Sequence, residues 1–454
     1  MATVLRAAGL AALVIALVWA MVIVAWQQSN HSPTQSDLLV YLVLVPTALL
    51  AAIASIRAVV RWNTKRAEAK EAARADATKQ NGETTDATPA PKRIALLGAS
   101  IVSPLGDEPK TLLDALAESP APKLDEQLQR DDGSPIFAAR VATVDEHADA
   151  HALPATLSND AKRPTALGLR AFDGLAKTLA AYAPNPSGNT SSPTRLRITW
   201  LFNEEVLSAD CDALLRTLVA RLKTLGWPAE QVVHTGLPAR DARDAITAIE
   251  QAFVALQKDT PRDLHLIGAC DSFITNACVE TLQRDRRLFG DDCPAGLIPG
   301  EAAAAILLGP AALLENPPAP YVFVHQPFNA QREQAIDDVK RVTAAELSTL
   351  IEKTVADSGE APAKLGLVVT DIDHRPAANA ELAQAVGERF EHLDPVADAF
   401  SVGRATGHAG AATTLVTLAV AHAAVLERQA SVLFVSAQGA IERTAFVVTN
   451  PIRS

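Results

Sequence analysis

The sequence predicts a layered α/β domain, internally duplicated and placed behind two membrane-spanning helices. Three observations carry this. Two apolar runs, each close to the length of a membrane span, stand near the start of the 454-residue chain. Beyond them, short apolar runs alternate with helical patterns. Finally, one order of elements (strand, helix, strand, then a last strand after a short turn) occurs over 196–308 and again over 366–449. Composition agrees: 48% of residues are hydrophobic and only 4% aromatic, as fits helices packed on sheets better than an all-β fold.

Residues 7–26 form the first run, and the second, apolar over 38–56, is taken as a span to residue 60. Each can cross roughly 30 Å of hydrocarbon as a helix. A cleaved signal peptide fits less well, because the run exceeds the roughly 7–15 apolar residues usual for such a core and a second span comes soon after. The connection from Gln27 to Asp37 has no Lys or Arg, whereas Arg57, Arg61, Lys65, Arg66, Lys70 and Arg74 crowd the far side. By the positive-inside rule the large domain is cytoplasmic, on a multi-pass protein of a bacterial-type inner membrane. Residues 1–62 are thus predicted to be a membrane anchor in the lipid bilayer. Residues 63–92 are a charged helix followed by a flexible linker, since Thr78–Pro91 has almost nothing apolar with which to order itself.

The soluble region opens with Lys92–Gly98, a buried strand. Further strands are read at Leu196–Phe202, Leu264–Ala269, Ala302–Leu308, Tyr321–Val324, Gly366–Thr370, Ser431–Val435 and Thr444–Thr449. Helices are read at Cys211–Leu225, Asp241–Leu256, Thr343–Ala356 and Ala411–Leu426. The alternation predicts a mainly parallel sheet with helices on both faces. Proline-rich Pro310–Pro320 joins two halves, 93–310 and 311–454.

A formal charge of −11 excludes nucleic acid as a partner, since that needs a basic footprint to displace counterions. Cys211, Cys270, Cys278 and Cys293 have no Cys-x-x-Cys spacing, so neither zinc nor a disulfide framework is signalled and reduced thiols are expected. There is no Gly-x-Ser-x-Gly elbow, phosphate-binding glycine loop or His-Glu-x-x-His. No cofactor is implied. Asp371, Asp373 and His374 form a short cluster without the further ligands of a metal site.

Three segments resemble signature stretches of the β-ketoacyl synthases: Ile94 to Gly106 (IALLGASIVSPLG), Gly296 to Leu308 (GLIPGEAAAAILL) and Ala405 to Thr413 (ATGHAGAAT). They fall in the family's order and span about 93–454. The resemblance implies the thiolase-like fold, a duplicated five-layer αβαβα sandwich, and a homodimer or a heterodimer with a related chain formed through an edge strand of the first half. It matches His408 to a catalytic histidine and Glu301 to a structural glutamate. Gly300, Gly407 and Gly410 are read as sites of tight turns and close backbone approach. Family members carry a cysteine nucleophile on a strand-to-helix elbow. Here the elbow falls near Asp241–Asp244, with neither cysteine nor serine, and the aspartates read as helix caps. The family's first histidine belongs to a glycine-rich stretch, for which this chain has Val368–Pro376; His374 lies there without the glycines.

The expectation is therefore a membrane-tethered, non-catalytic scaffold or adaptor, serving an active synthase partner or a client protein such as a secreted type VI lipase effector. A third reading is a membrane sensor of an acyl ligand. The enzymatic alternative is an acyl-thioester hydrolase or acyltransferase built around His408 with an acid such as Asp371 or Asp373. An open pocket giving His408 a carboxylate partner favours the enzyme, and His408 packed into its own loop favours the scaffold.

Overall fold

The computed structural model describes residues 92–144, 153–184, 195–257, 262–314, 317–339 and 341–451. The predicted spans, charged helix and linker, over 1–91, lie outside the described residues.

The first half runs β1 (Arg93–Val102), α1 (Pro109–Leu116), β2 (Lys123–Gln129), β3 (Pro135–Ala138), α2 (Asn159–Gly174), α3 (Ala176–Ala181), β4 (Arg195–Asn203), α4 (Ser208–Thr224), β5 (Val232–Ala239), α5 (Ala242–Gln257), β6 (Asp263–Ser272), α6 (Asn276–Arg284) and β7 (Glu301–Gly309). The second runs β8 (Val322–His325), β9 (Phe328–Gln331), α7 (Ala345–Ser358), β10 (Leu365–Thr370), α8 (Pro376–Arg389), β11 (Ala399–Ser401), α9 (Val402–Thr406), α10 (Gly410–Arg428), β12 (Ser431–Ser436) and β13 (Glu442–Thr449). Local chemistry sets many ends. Ser158 caps α2 and Thr275 caps α6 through side-chain oxygens that accept backbone N–H bonds, meeting donors a helix start leaves unpaired. Pro376 opens α8, where its missing N–H costs nothing. Gly359 ends α7 at φ 71°.

Eleven strands form one sheet. Counting outward from its centre, the first half reads β1, β7, β6, β4, β5 and the second reads β8, β13, β12, β10, β11. These are the same order by position within each half, and the directions repeat as well: β4 is parallel to β5 and β6, and β10 to β11 and β12, while β6–β7, β7–β1, β12–β13 and β13–β8 are antiparallel. The halves meet where β1 pairs antiparallel with β8, Ile94 opposite Val324. The repeated element order in the sequence is thus a repeated topology. The expectation of a mainly parallel sheet is corrected to a mixed one. A link as short as Ala437–Ile441 between β12 and β13 can close only an antiparallel pair.

Three large apolar cores hold the helices against the two half-sheets. On the outer side of the first half, α2 and α4 pack on β4, β6 and β7 through Leu167, Phe172, Leu214, Leu218 and Trp200. On the outer side of the second, α7 and α8 cover β10, β12 and β13 through Leu347, Ile351, Leu382 and Val386. Between the half-sheets, α5 and α10 share a core with Ile306, Leu308, Val369 and Phe434. Residues 302–305 of β7 are four consecutive alanines, all buried; their small side chains let helices close on both faces. Helix α10 is buried from Gly410 through Val425. Among the described residues it alone is long and apolar enough to cross a membrane, and its all-round hydrophobicity reflects its central place in this core.

Candidate functional site

The two signature loops of the second half of the chain lie side by side. The amide of His408 donates to the carbonyl of Ile298 at 2.8 Å, and the amide of Gly300 donates to the carbonyl of His408 at 3.1 Å. The Gly300 carbonyl accepts from Phe273 at 2.9 Å, which ties β6 to the pair. A side chain at Gly300 would fall on the carbonyl oxygen of Thr406, so the two backbones approach this closely only because that position is glycine. Gly407 takes φ +64° in the facing loop, a left-handed conformation that glycine adopts without strain. Gly410 begins α10 beside the Asp271 carboxylate.

Glu301 is completely buried. Its carboxylate accepts from the Val141 amide at 2.7 Å, from Arg163 Nε at 2.6 Å and Nη2 at 2.5 Å, and from Ser272 Oγ at 2.8 Å. It joins β7, β6, α2 and the segment after β3, and every lone-pair direction is occupied, which leaves it no role as a proton carrier.

The elbow lies between β5, ending at Ala239, and α5, starting at Ala242. Asp241 Oδ1 accepts the Arg243 amide at 2.9 Å and Asp244 Oδ2 accepts the Arg240 amide at 2.8 Å. Those are capping contacts. Of the thiols, Cys270 in β6 is buried and accepts from Trp200 Nε1 at 3.3 Å, and burial pushes its ionisation far up. Burial pushes Cys211 up to about 11 and raises Cys278 as well. Cys293, between α6 and β7, directs its Sγ to the Arg286 carbonyl at 3.4 Å.

His408 lines a cavity of about 360 Å³ that also meets Asp241, Arg287, Cys293, Arg375 and Gln438. The elbow and the matched histidine therefore share one space. The imidazole packs on the Phe273 ring, centroids 4.6 Å apart. Its pKa falls to about 4, chiefly because burial disfavours the cation and also because Arg287 is near. It is neutral at physiological pH. Among the described residues no group hydrogen-bonds its ring nitrogens.

The other expected acids are committed elsewhere. Asp371, fully buried, accepts from Ser436 Oγ at 2.5 Å, Thr414 Oγ1 at 3.0 Å, and the amides of Ala437 and Gln438 at 2.9 and 3.2 Å. Asp373 pairs with Arg375 Nε at 2.9 Å. His374 stands edge-on to Phe289, ring centroids 4.7 Å apart, and burial lowers its pKa. No cluster of three metal-ligating side chains occurs among the described residues.

Sequence reasoning missed the polar frame around this space. Arg375 bridges Asp373, Asp337 and the Gln438 carbonyl. Behind it, Glu381 is held by both Arg332 and Arg443, all three buried. Arg443 sits inside an apolar strand, and such a charge is the one visible signal of a buried ionic partner.

No protein family and no curated protein matches the chain by sequence. Solved structures do match by fold. A complex of a type II polyketide acyl-carrier protein with its ketosynthase bound to the hexaketide aligns with TM-score 0.55 at 11% identity, over 79% of this chain and 100% of that one. The ishigamide ketosynthase/chain length factor gives 0.55 at 14% identity, covering 80% and 100%. A β-ketoacyl synthase from Burkholderia phymatum STM815 gives 0.54 at 14%, covering 79% and 99%. At such identity the likeness shows the fold alone: this is the α/β thiolase-like fold of the ketosynthases.

Proposed function

We propose that the chain is a ketosynthase-like protein that does not condense, tethered to an inner membrane by residues 1–62 and acting from the cytoplasm as a scaffold or adaptor. The observation that carries this reading is the elbow before α5: at the place where a ketosynthase presents its nucleophile, this chain has Arg240, Asp241 and Ala242, with the aspartate spent on capping. Fold likeness cannot supply the missing thiol. His408 supports the same reading, because a neutral imidazole packed on Phe273 without a carboxylate partner has no proton relay. Strand β5 closes one end of the sheet and pairs only with β4 among the described residues. An open edge of this kind favours a homodimer or a heterodimer with a related chain. The client is an active synthase or a secreted effector such as a type VI lipase.

Affinity capture of the detergent-extracted full chain, compared with a chain lacking residues 1–91, tests the proposal. Enrichment of one protein by both forms supports an adaptor and names its client. Recovery of the chain alone from both sinks the adaptor reading.

The second reading, an acyl-thioester hydrolase or acyltransferase around His408, draws on one observation: Cys293 lines the His408 cavity. Turnover of an acyl thioester by the wild-type chain, lost in both Cys293→Ala and His408→Ala, would establish it in place of the first.

A further inference from the structure

The His408 cavity has a donor surplus that capping and condensation do not explain. Gln438 is 8% exposed and lines it. Its backbone is fixed: the amide donates to Asp371, and the carbonyl accepts Arg375 Nη2 at 2.6 Å. Its side-chain Nε2 is buried without a hydrogen-bond partner, and such an orphan donor is costly unless a bound group meets it. Arg286 and Arg287 line the same cavity, and neither guanidinium has an ion pair or side-chain hydrogen bond among the described residues. The turn that carries them is pinned. The Arg286 amide donates to Gln283 at 3.0 Å, the Arg287 amide to Leu282 at 2.7 Å, and the Arg287 carbonyl accepts from Leu297 at 2.5 Å. Arg286 is held at φ +54°, a left-handed conformation that is unfavourable for a non-glycine residue and is retained where surroundings over-determine it.

Each of the two carboxylates that line the cavity has one oxygen engaged. Asp241 Oδ1 takes the Arg243 amide, and Asp337 Oδ2 takes Arg375 Nη1 at 3.1 Å. Arg375 is itself satisfied by Asp373, Asp337 and the Gln438 carbonyl. Two exposed guanidiniums and the buried Gln438 side chain thus line a space of about 360 Å³, which falls in the range of small-molecule sites. We propose that this cavity binds a small oxyanion, the carboxylate or phosphate group of a small molecule, between Arg286, Arg287 and the side-chain amide of Gln438. Guanidiniums suit either group through paired N–H donors. These residues are not the ones that the ketosynthase resemblance matched, and the site serves a regulated adaptor as well as an enzyme, so it stands apart from the function proposed above.

The test is titration calorimetry and thermal unfolding of the full detergent-solubilised chain with inorganic phosphate and, separately, acetate, against chloride at matched ionic strength. Saturable binding with a rise in Tm by either anion is expected, and which anion acts assigns the group. Arg286→Ala/Arg287→Ala should weaken binding by roughly tenfold or more, the loss of at least one charge-assisted contact. Gln438→Glu keeps the shape and places a carboxylate where the anion would sit, so it should abolish binding even if the double variant proves unstable. No effect beyond chloride in the wild-type chain, or equal binding by folded Gln438→Glu, overturns the proposal.

Discussion

Gly300 and His408, distant in sequence, are joined backbone to backbone, the amide of the glycine donating to the carbonyl of the histidine at 3.1 Å. The loop before β7 thereby positions the loop that carries the imidazole, and the absence of a Cβ at residue 300 permits it. Gly300→Ala drives a methyl group into the Thr406 carbonyl. Backbone cannot yield as a side chain does, so the expected loss reaches or exceeds the usual overpacking cost of about 1–3 kcal/mol. Urea unfolding would show it, and a near-neutral result would mean that the loops are not clamped.

Glu301 offers a second test of the same frame. Glu301→Gln removes the charge opposite Arg163 and puts two N–H donors where an oxygen accepted. Breaking one side of a buried pair typically costs about 3–5 kcal/mol. Chemical denaturation of this variant beside Arg163→Met/Glu301→Met separates the penalty of an uncompensated charge from the value of the pair. The double variant should recover part of the loss.

Much of this architecture is legible in the sequence. Strands such as Leu264–Ala269 and Ala302–Leu308 are buried on both faces and therefore read as continuous apolar runs, and the duplicated order survives because topology outlasts sequence identity. Glu301 and His408 sit in glycine-bearing stretches whose residue order is itself the signal. What escaped has a physical reason. Strand β5 is an exposed edge containing Gly236 and Pro238, residues depleted from strands. Helix α2 contains Pro164, which argues against a helix. The cavity's polar wall joins Arg286 and Arg287 to Gln438 across about 150 residues of chain, and only tertiary packing brings such positions together. Burial that leaves a Gln438 donor unpaired has no sequence signature.

Buried histidines predict acid sensitivity. His325 and His422 have pKa values lowered to about 4 by burial, and each keeps one ring nitrogen without a partner. The unfolded chain binds a proton near pH 6.5, the folded chain only near 4. The unfolded state therefore holds more protons between those values, and stability present above pH 6.5 is lost as the pH falls toward 4. A shift of this size corresponds to on the order of 3 kcal/mol for each histidine. His422→Gln should flatten the dependence of ΔG on pH across that window. An unchanged slope would show that His422 is not a source of the acid sensitivity.

Asp271 predicts the opposite slope over nearly the same window. It is buried, and desolvation lifts its carboxyl to about 7 against the partial relief of backbone N–H bonds from Ala412, Ala411 and Asn203. One oxygen, Oδ1, has no partner. The folded state holds a proton over roughly pH 4–7 that the unfolded state has released. The contribution of this group is fully present at acid pH and is lost as the pH rises through 7. Asp271→Asn keeps an acceptor for the amides at the start of α10 and removes the ionisation. The variant should therefore match or trail the wild-type chain at pH 5 and gain on it by pH 8.5, a crossing that unfolding at the two pH values would reveal. Parallel curves for the two chains would place the Asp271 carboxyl in its ordinary range and remove it as a source of alkaline destabilisation.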